Sequence, residues 1–437
     1  MQNPFFVSLL VVSLFITGCN GSSDNGNLLP QSAGCSIPEQ NQFVHELLLD
    51  RYLWYREVPA TIDYADFDSP EQTLEFLKYQ EKDRFSYIAK KAAFNSLFGA
   101  GQYVGYGFSY FLDSDARAWF KFVYDDSAAG RAGLERGDEI ISINGQTVEQ
   151  ISAALAWDTI FGDAKIGVPV SMVVGKKEGS IADVQMEKSV VNINTVLYSS
   201  VIDQAGEKLG YLVFNSFLGT SVDELDTVFA EFSAQGVRRL ILDLRYNGGG
   251  SVSVAKELAS YLYNNDASNQ LFTMLEQNDK HRALDSKFYF SSKVNELDLQ
   301  QLVVITTGST ASASEMIING LKPFVPVKTI GSKTYGKPVG MNGFEFCDKI
   351  MLPITFAVYN ADHNGGYFDG IEADCAADDD VSAAFGDTVN DPMLAQALRV
   401  TAGQNCSAQK PALTRAMAAP APVPAHQASL QDFIGAQ

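Results

Sequence analysis

Two stretches of the chain follow the same plan: an apolar run, then a turn rich in small residues, then a helical pattern. The first is RLILDLRYNGGG (239–250) followed by SVSVAKELASYLY, and the second is QLVVI (301–305) followed by TTGSTASASEMIINGL. Short apolar runs bounded by turns are consistent with buried strands, and strands that alternate with helices are typical of a layered βαβ arrangement. We therefore predict a multidomain α+β protein with a layered α/β core over residues 192–406.

A chain of 437 residues is too long to form a single small hydrophobic core, and two further domains are predicted before this one. FVHELLLDRYLWYREV (43–58) places apolar residues at helical spacing, and Ser69-Pro70 provides an N-cap followed by a proline at the first helical position. These patterns predict a helical N-terminal domain over residues 36–100. Short strands and glycine turns, with Asn144-Gly145 as a hairpin signal, predict a second domain over residues 101–191.

The first nineteen residues predict a secretory signal. Their apolar stretch of about fourteen residues is shorter than the roughly 20 that span a membrane. Residues 16–19, Ile-Thr-Gly-Cys, resemble the bacterial lipobox, which implies cleavage before Cys19 and a lipid on that residue; an ordinary cleaved signal is the alternative. We expect a periplasm-facing lipoprotein of the bacterial envelope, by analogy in the outer membrane, with a flexible tether over 20–35. Residues 407–437, rich in Ala and Pro, predict a flexible tail.

The net charge and the cysteine spacing limit which binding partners, metals and cofactors are expected. The net charge of −20, from 52 acidic and 32 basic side chains, argues against nucleic acid as a partner. Apart from Cys19, the chain has Cys35, Cys347, Cys375 and Cys406, so one or two disulfides are expected in an oxidising compartment, with the pairing open. No two cysteines have the CxxC spacing of zinc sites, and we predict no metal and no cofactor.

Three serines, Ser309, Ser312 and Ser314, crowd the turn after the second apolar run. A serine hydroxyl becomes a nucleophile only when a base takes its proton and donors receive the oxyanion. Ser312 lies where a helix begins, so free backbone N–H groups and the helix dipole can meet part of the second requirement. The segment 247–250, Asn-Gly-Gly-Gly, can supply further backbone donors, since glycine allows a close approach.

The candidate base is a lysine or a histidine. Lys337 lies in the glycine-rich, apolar segment TYGKPVGM (334–341), where desolvation can lower a lysine pKa from about 10.4 toward the useful range of 7–8. A histidine base would have to be His281 or His363, neither of which lies in a recognisable motif.

The chain resembles the carboxyl-terminal processing peptidases, the tail-specific proteases that use a serine and a lysine. Three stretches carry the resemblance: LDLRYNGGG (242–250), TASASE (310–315) and TYGK (334–337). In the family pattern the lysine follows the serine by twenty-five positions, as Lys337 follows Ser312 here. The resemblance implies Ser312 as nucleophile, Lys337 as base, and the N–H groups of Ala313 and Gly249 as oxyanion donors. Ser309 and Ser314 are then predicted to be a turn residue and a helix-cap residue. It also implies a serine endopeptidase with a helical N-terminal segment, a PDZ domain and a ClpP/crotonase-like core.

The stretch SAAGRAGLERGDEIISINGQTV (127–148) resembles a PDZ domain. PDZ domains bind protein C-termini by adding them as a strand to a sheet edge. The resemblance implies protein or peptide substrates held by the C-terminus, with a carboxylate-binding loop made of Val104, Gly105, Tyr106, Gly107 and Phe108.

The sequence departs from the family pattern at two positions. Met341 stands where many members have a glutamine that orients the lysine, which leaves Asn342 or no residue for that role. Lys333 stands where an acidic residue is common, and we expect it to be solvated. A catalytically inactive peptide- or ligand-binding protein of the same fold therefore remains the alternative. We further expect Asp243 and Arg245 to be structural, and residues 378–380 to form a solvated acidic loop rather than a calcium site.

Overall fold

The computed structural model describes residues 34–263 and 269–407. The predicted signal peptide, the lipidation residue Cys19, the tether up to residue 33 and the tail from residue 408 lie outside this part of the chain. Within it, no helix has the length and apolar character needed to cross a membrane, and no group of three or more potential ligands could hold a metal ion.

The N-terminal domain is built on one long helix. Its elements are α1 (Ile37–Arg51), α2 (Pro70–Leu77), β1 (Tyr87–Lys90) and α3 (Lys91–Phe94). The Ser69 hydroxyl accepts a hydrogen bond from the Gln72 N–H, which confirms the predicted N-cap. The helix predicted to run through residue 58 is too long: it ends at Arg51, because Tyr52 adopts extended backbone and its hydroxyl bonds to buried Asp83 (2.5 Å).

The PDZ-like domain is a sheet flanked by two short helices. Its elements are β2 (Gln102–Gly105), β3 (Phe108–Leu112), β4 (Ala118–Val123), α4 (Ala128–Arg131), β5 (Glu139–Ile143), β6 (Gln146–Thr147), α5 (Val148–Ala153), β7 (Pro169–Gly175), β8 (Ile181–Glu187) and β9 (Ser189–Asn192). The strands pair in the order β3-β4-β5-β7-β8, while β2 pairs with β9. Asn144 and Gly145 both have positive φ, which confirms the predicted hairpin turn between β5 and β6.

The core contains the remaining elements. These are β10 (Val196–Gln204), β11 (Glu207–Phe214), α6 (Ser221–Ala234), β12 (Arg239–Asp243), α7 (Val252–Leu262), β13 (Leu271–Gln277), β14 (Ser286–Tyr289), β15 (Gln301–Thr306), α8 (Ala313–Leu321), β16 (Val327–Gly331), β17 (Val339–Met341), β18 (Phe344–Phe346), β19 (Lys349–Leu352), β20 (Ile354–Asn360), β21 (Cys375–Ala376) and α9 (Pro392–Thr401). The predicted layered core is confirmed. Strands pair in the order β10-β11-β12-β15-β16-β21, and every pair from β11 to β21 is parallel.

Both faces of this sheet are covered, which explains the unbroken apolar runs. In β15, Leu302 and Val304 pack into the cluster formed with α6, α7 and α8, whereas Val303 and Ile305 pack against α9 on the other face. A second sheet, in the order β14-β13-β20-β17, lies beyond the first face, and α1 packs on its β17 and β20 side. The N-terminal domain is also joined to the core by β1, which pairs with β19.

Two disulfides settle the pairing that the sequence left open. Cys35 is bonded to Cys347, with Cα atoms 5.9 Å apart, and Cys375 is bonded to Cys406, with Cα atoms 5.5 Å apart. The first joins the start of α1 to the turn between β18 and β19, and the second joins β21 to the segment after α9. Such cross-links stabilise chiefly by restricting the unfolded chain.

The prediction that residues 378–380 form a solvated acidic loop is wrong for Asp379. Its carboxylate accepts from Arg245 of the core (2.8 Å) and Arg136 of the PDZ-like domain (3.0 Å), and all three side chains are buried. Burial alone would raise the pKa of Asp379, but the two guanidinium charges outweigh it and lower the pKa to about 2. Arg245 also pairs with Asp243 (2.6 Å), which confirms the predicted structural pair and extends it to the PDZ-like domain.

Candidate active site

The candidate site lies at the carboxyl edge of three adjacent parallel strands. The Gly-rich turn follows β12, the Ser312 turn follows β15, and the Lys337 segment follows β16. Parallel neighbours end at the same edge of a sheet, so residues distant in sequence meet there. The Tyr335 N–H donates to the Thr310 carbonyl (2.9 Å), which fixes the lysine segment against the serine turn.

Ser312 occupies the position just before α8 in a strained conformation. Its φ of 56° and ψ of −113° are rarely adopted by residues other than glycine, and strain of this kind costs of order 1–3 kcal/mol and is concentrated at functional sites. Ser314, predicted as a helix cap, lies instead inside the first turn of α8, where its hydroxyl donates to the Asn247 carbonyl (2.9 Å). Ser309 lies in the preceding turn, as predicted, with its N–H bonded to Thr307. Among the three serines, Ser312 alone has the strained backbone.

Gly249 packs directly against Ser312. A Cβ at Gly249, whose φ is 101°, would lie 2.8 Å from the Ser312 Cβ and 2.9 Å from the Ala313 nitrogen, so only glycine fits. The Ala313 N–H has no acceptor within the described part of the chain, as expected at a helix start. The Gly249 N–H, however, donates to the Asn247 Oδ1 (2.8 Å), which argues against its assignment as the second oxyanion donor.

Lys337 is buried, with 6% of its surface exposed, and its Nζ lies 5.6 Å from the centroid of the Phe85 ring. Burial lowers the pKa of Lys337 to about 8, and the negative charges of Asp83 and Glu315 limit the fall. At this pKa a substantial fraction of the amine is neutral near physiological pH, which is the state a general base requires.

Glu315 joins the serine to the lysine. Its Oε2 accepts hydrogen bonds from the backbone N–H groups of Ser312 (2.9 Å) and Lys337 (2.8 Å). Its Oε1 accepts from the Thr334 hydroxyl (2.5 Å) and the Gly336 N–H (2.7 Å). Burial raises the pKa of Glu315, and these four donors oppose the rise because they favour the ionised carboxylate. Sequence reasoning assigned no role to Glu315, although its place in TASASE was visible.

The positions that depart from the family pattern have other partners. Met341 packs partly buried against the α1 cluster, and the Asn342 amide donates to the Thr355 hydroxyl (3.0 Å). Lys333 is exposed, as predicted, and pairs with Glu372 (2.7 Å). The two histidines considered as alternative bases have carboxylate partners on other elements: the His281 Nε2 bonds to Asp50 and the His363 Nε2 to Glu276.

Of the predicted carboxylate-binding loop, Val104 and Gly105 end β2, Tyr106 and Gly107 connect the strands, and Phe108 begins β3. Strand β3 is an edge strand of the described sheet. The rings of Tyr110 and Trp157 lie beside this edge with centroids 5.1 Å apart. An open strand edge next to aromatic side chains fits strand addition by a peptide.

Comparisons with known proteins agree with this architecture. Residues 39–87 match the peptidase S41 N-terminal domain, residues 120–157 match a PDZ domain, and residues 208–377 match peptidase family S41. The chain belongs to the S41 family of serine peptidases, and the predicted resemblance is confirmed.

Curated relatives and a solved structure support the assignment. The chain is 29% identical over 234 residues to a carboxyl-terminal-processing protease of Picosynechococcus, and 27% identical over 254 residues to carboxyl-terminal-processing peptidase 1, chloroplastic, of Arabidopsis thaliana. These alignments cover 53% and 57% of this chain and 54% and 50% of the relatives, so the chain spans about half their length. A crystal structure of an S41-type protein from Bacteroides fragilis has a TM-score of 0.68 and 28% identity, covering 83% of this chain and 97% of that one.

Glu315→Gln tests the link between serine and lysine. An amide can accept through one oxygen only, so one of the two pairs of donors, either Ser312 with Lys337 or Thr334 with Gly336, loses its acceptor, and the anchoring of the lysine segment against the serine turn is weakened. We expect stability to fall by about 1–3 kcal/mol and the rate of Ser312 acylation to fall by about 10²-fold. Chemical denaturation and labelling with a serine-reactive probe measure the two effects.

The matched control is Glu372→Gln, which neutralises an exposed carboxylate beside the same loop, paired only to Lys333 in the described ion pairs. It should change neither quantity. Wild-type labelling rates in Glu315→Gln would contradict the role assigned to Glu315.

Proposed function

We propose that the protein is a serine endopeptidase of the C-terminal processing type, with Ser312 as nucleophile and Lys337 as general base. The observation that supports this most strongly is the joint anchoring of both residues by one buried carboxylate oxygen of Glu315. Family membership, the strained Ser312 backbone and the depressed pKa of Lys337 support the same conclusion.

In the proposed mechanism, neutral Lys337 removes the Ser312 hydroxyl proton as Oγ attacks the carbonyl carbon of the scissile bond. The oxyanion forms beside the Ala313 N–H and the loop 247–250, where backbone donors stabilise the developing charge. The Lys337 ammonium then returns the proton to the leaving amine nitrogen, which leaves an acyl-enzyme. Neutral Lys337 then takes a proton from water as the water oxygen attacks the ester carbon, and the Lys337 ammonium returns the proton to the Ser312 oxygen as the C–O bond breaks and the carboxylic acid product leaves.

The second oxyanion donor is proposed within the loop 247–250 rather than at Gly249 itself. The N–H groups of Gly248 and Gly250 have no acceptor in the described part of the chain, whereas that of Gly249 is bonded to Asn247. Gly249 would then serve mainly by allowing the loop to approach Ser312.

Activity is expected to depend on pH through Lys337. Only the neutral amine accepts a proton, so kcat/KM should rise with pH through the pKa of Lys337 in the free enzyme, about 8.

Ser312→Ala should reduce cleavage of a fluorogenic peptide by at least about 10⁴-fold, and Lys337→Ala by about 10²–10⁴-fold. Steady-state kinetics between pH 5 and pH 10, roughly the span in which such groups titrate, measures both effects.

This assay also separates the alternatives. Equal cleavage by wild type and both variants would exclude the Ser-Lys mechanism. Activity that survives Lys337→Ala but not His281→Ala or His363→Ala would favour a histidine base. Peptide binding without cleavage by the wild type would favour the alternative, a catalytically inactive binding protein, which the presence of Met341 in place of the common glutamine suggests.

We further propose that the PDZ-like domain holds protein or peptide substrates by their free C-terminus at the β3 edge. The loop Val104–Phe108 would receive the carboxylate. Binding of a fluorescent peptide with a free carboxylate should be about 10-fold or more tighter than binding of the same peptide as a C-terminal amide, because the amide lacks the charge. Fluorescence anisotropy with Ser312→Ala prevents cleavage during the measurement, and equal affinities would rule out carboxylate capture.

The envelope location is a separate proposal that rests on the sequence of residues 1–19. Lipid on Cys19 would anchor the protein to a bacterial membrane, facing the periplasm and by analogy on the outer membrane. Metabolic labelling with radioactive palmitate in a Gram-negative host should mark the wild type and not Cys19→Ser. Unlabelled wild-type protein recovered in the soluble periplasmic fraction would favour an ordinary cleaved signal.

A further inference from the structure

One wall around Lys337 comes from the N-terminal domain rather than from the core. Arg84 Nη2 donates to the carbonyls of Tyr335 (2.7 Å) and Gly336 (3.2 Å). The rings of Phe85 and Tyr335 pack edge to face with centroids 5.9 Å apart, and the Phe85 ring lies beside the Lys337 amine. The turn that precedes β1 therefore covers the lysine segment directly.

Asp83 begins this turn, and only 1% of its surface is exposed. Its Oδ1 accepts from the N–H groups of Phe85 (3.0 Å) and Ser86 (2.8 Å). Its Oδ2 accepts from the hydroxyls of Ser86 (2.6 Å) and Tyr52 (2.5 Å). Four donated hydrogen bonds are the pattern of an ionised carboxylate. Among the described residues Asp83 forms no ion pair, so its negative charge is buried without a contacting cation.

The negative charge of Asp83 acts on the Lys337 ammonium. Asp83 and Glu315 both favour the protonated amine, and burial opposes them. Among the described residues, other titratable groups on the elements packed around Lys337 include the Arg84 guanidinium, which is engaged with backbone carbonyls, and the phenols of Tyr52, Tyr335 and Tyr367. Of the two carboxylates, Glu315 is held by the catalytic loops themselves, whereas Asp83 belongs to a different domain.

We propose that Asp83, supplied by the N-terminal domain, is a positioning residue of the active site whose buried charge stabilises the protonated form of Lys337. The proposal rests on the Ser-Lys function proposed above. A lysine that lost its proton too readily would be a weak base toward the Ser312 hydroxyl, since proton transfer is most efficient when the base titrates near the working pH. Asp83 would thus offset part of the desolvation that the pocket imposes.

Asp83→Asn tests this, because it removes the charge and keeps the shape. The neutral variant should move the acid limb of the kcat/KM profile to lower pH by roughly one unit, as expected on loss of a neighbouring opposite charge. The matched control is Tyr52→Phe, which removes one hydrogen bond to Asp83 but leaves the carboxylate charge, and its limb should not move to lower pH. Both variants disturb the same buried network, so a purely structural role would lower the rate in each without moving the midpoint.

A second readout does not require cleavage. Protein labelled with carbon-13 at lysine Cε, carrying Ser312→Ala, allows the Lys337 resonance to be titrated and assigned by its loss in Lys337→Met. The midpoint should fall in Asp83→Asn and not in Tyr52→Phe. Should Asp83→Asn fail to fold, Asp83→Ser removes the same charge while its hydroxyl still accepts from the turn N–H groups.

The outcomes separate the two proposals. An unchanged lysine midpoint on removal of the Asp83 charge overturns the role of Asp83, even if Ser312 and Lys337 prove catalytic. A midpoint that shifts as expected in a protein without peptidase activity supports the role of Asp83 and overturns the proposed function.

Discussion

The carboxylate of Glu315 is the contact on which the arrangement of the candidate site depends. This one buried side chain, in the first turn of α8, accepts hydrogen bonds from the backbone N–H groups of both Ser312 and Lys337, the proposed nucleophile and base. Backbone N–H groups can only donate, so a carboxylate with four lone-pair positions is suited to hold this many of them together. Because three of the four donors belong to the 334–337 segment, that segment cannot move away from Ser312 without leaving a buried charge unsatisfied.

A second buried network joins the site to the rest of the molecule. Arg245 lies in the turn between β12 and the glycine loop, and its guanidinium pairs with Asp243, Asp379 and Asp391. Through Asp379 the same network reaches Arg136 of the PDZ-like domain. Fully paired charges of this kind are costly to break individually, so they specify one relative placement of the elements that contribute them. The glycine loop 247–250, beside Ser312, is thus held through Arg245 by the end of β12, by the segment that contains Asp379 and Asp391, and by the PDZ-like domain.

The N-terminal domain has a comparable role on the opposite side of Lys337. Its turn around Asp83 packs on the lysine segment, while α1 packs against β17 and β20. The disulfide Cys35–Cys347 ties the start of α1 to the same region. A lysine pKa near 8 requires a nearly dry pocket. Water is excluded from this pocket in part by Arg84 and Phe85, which lie more than two hundred positions before Lys337 in the sequence.

Much of the fold could be predicted because local patterns report local structure. The apolar runs ending in glycine or serine turns identified β12 and β15, and Asn144-Gly145 identified a hairpin. The errors came where tertiary contacts override local preference. Helix α1 ends before its periodicity does, because Tyr52 bonds to Asp83. Asp379 is buried because Arg245 of the core and Arg136 of the PDZ-like domain surround it.

For the candidate site, the sequence by itself determined the residue types and their spacing: a serine at a helix start, a lysine in a glycine-rich loop, and the two strands, β12 and β15, that lead into the glycine turn and the serine turn. Only the tertiary structure decided the backbone strain of Ser312, the four partners of Glu315, the packing of Asp83 near Lys337, and the disulfide pairing. The physical reason is that hydrogen bonds, desolvation and charge depend on distances between atoms. Segments far apart in the chain acquire those distances only when it folds.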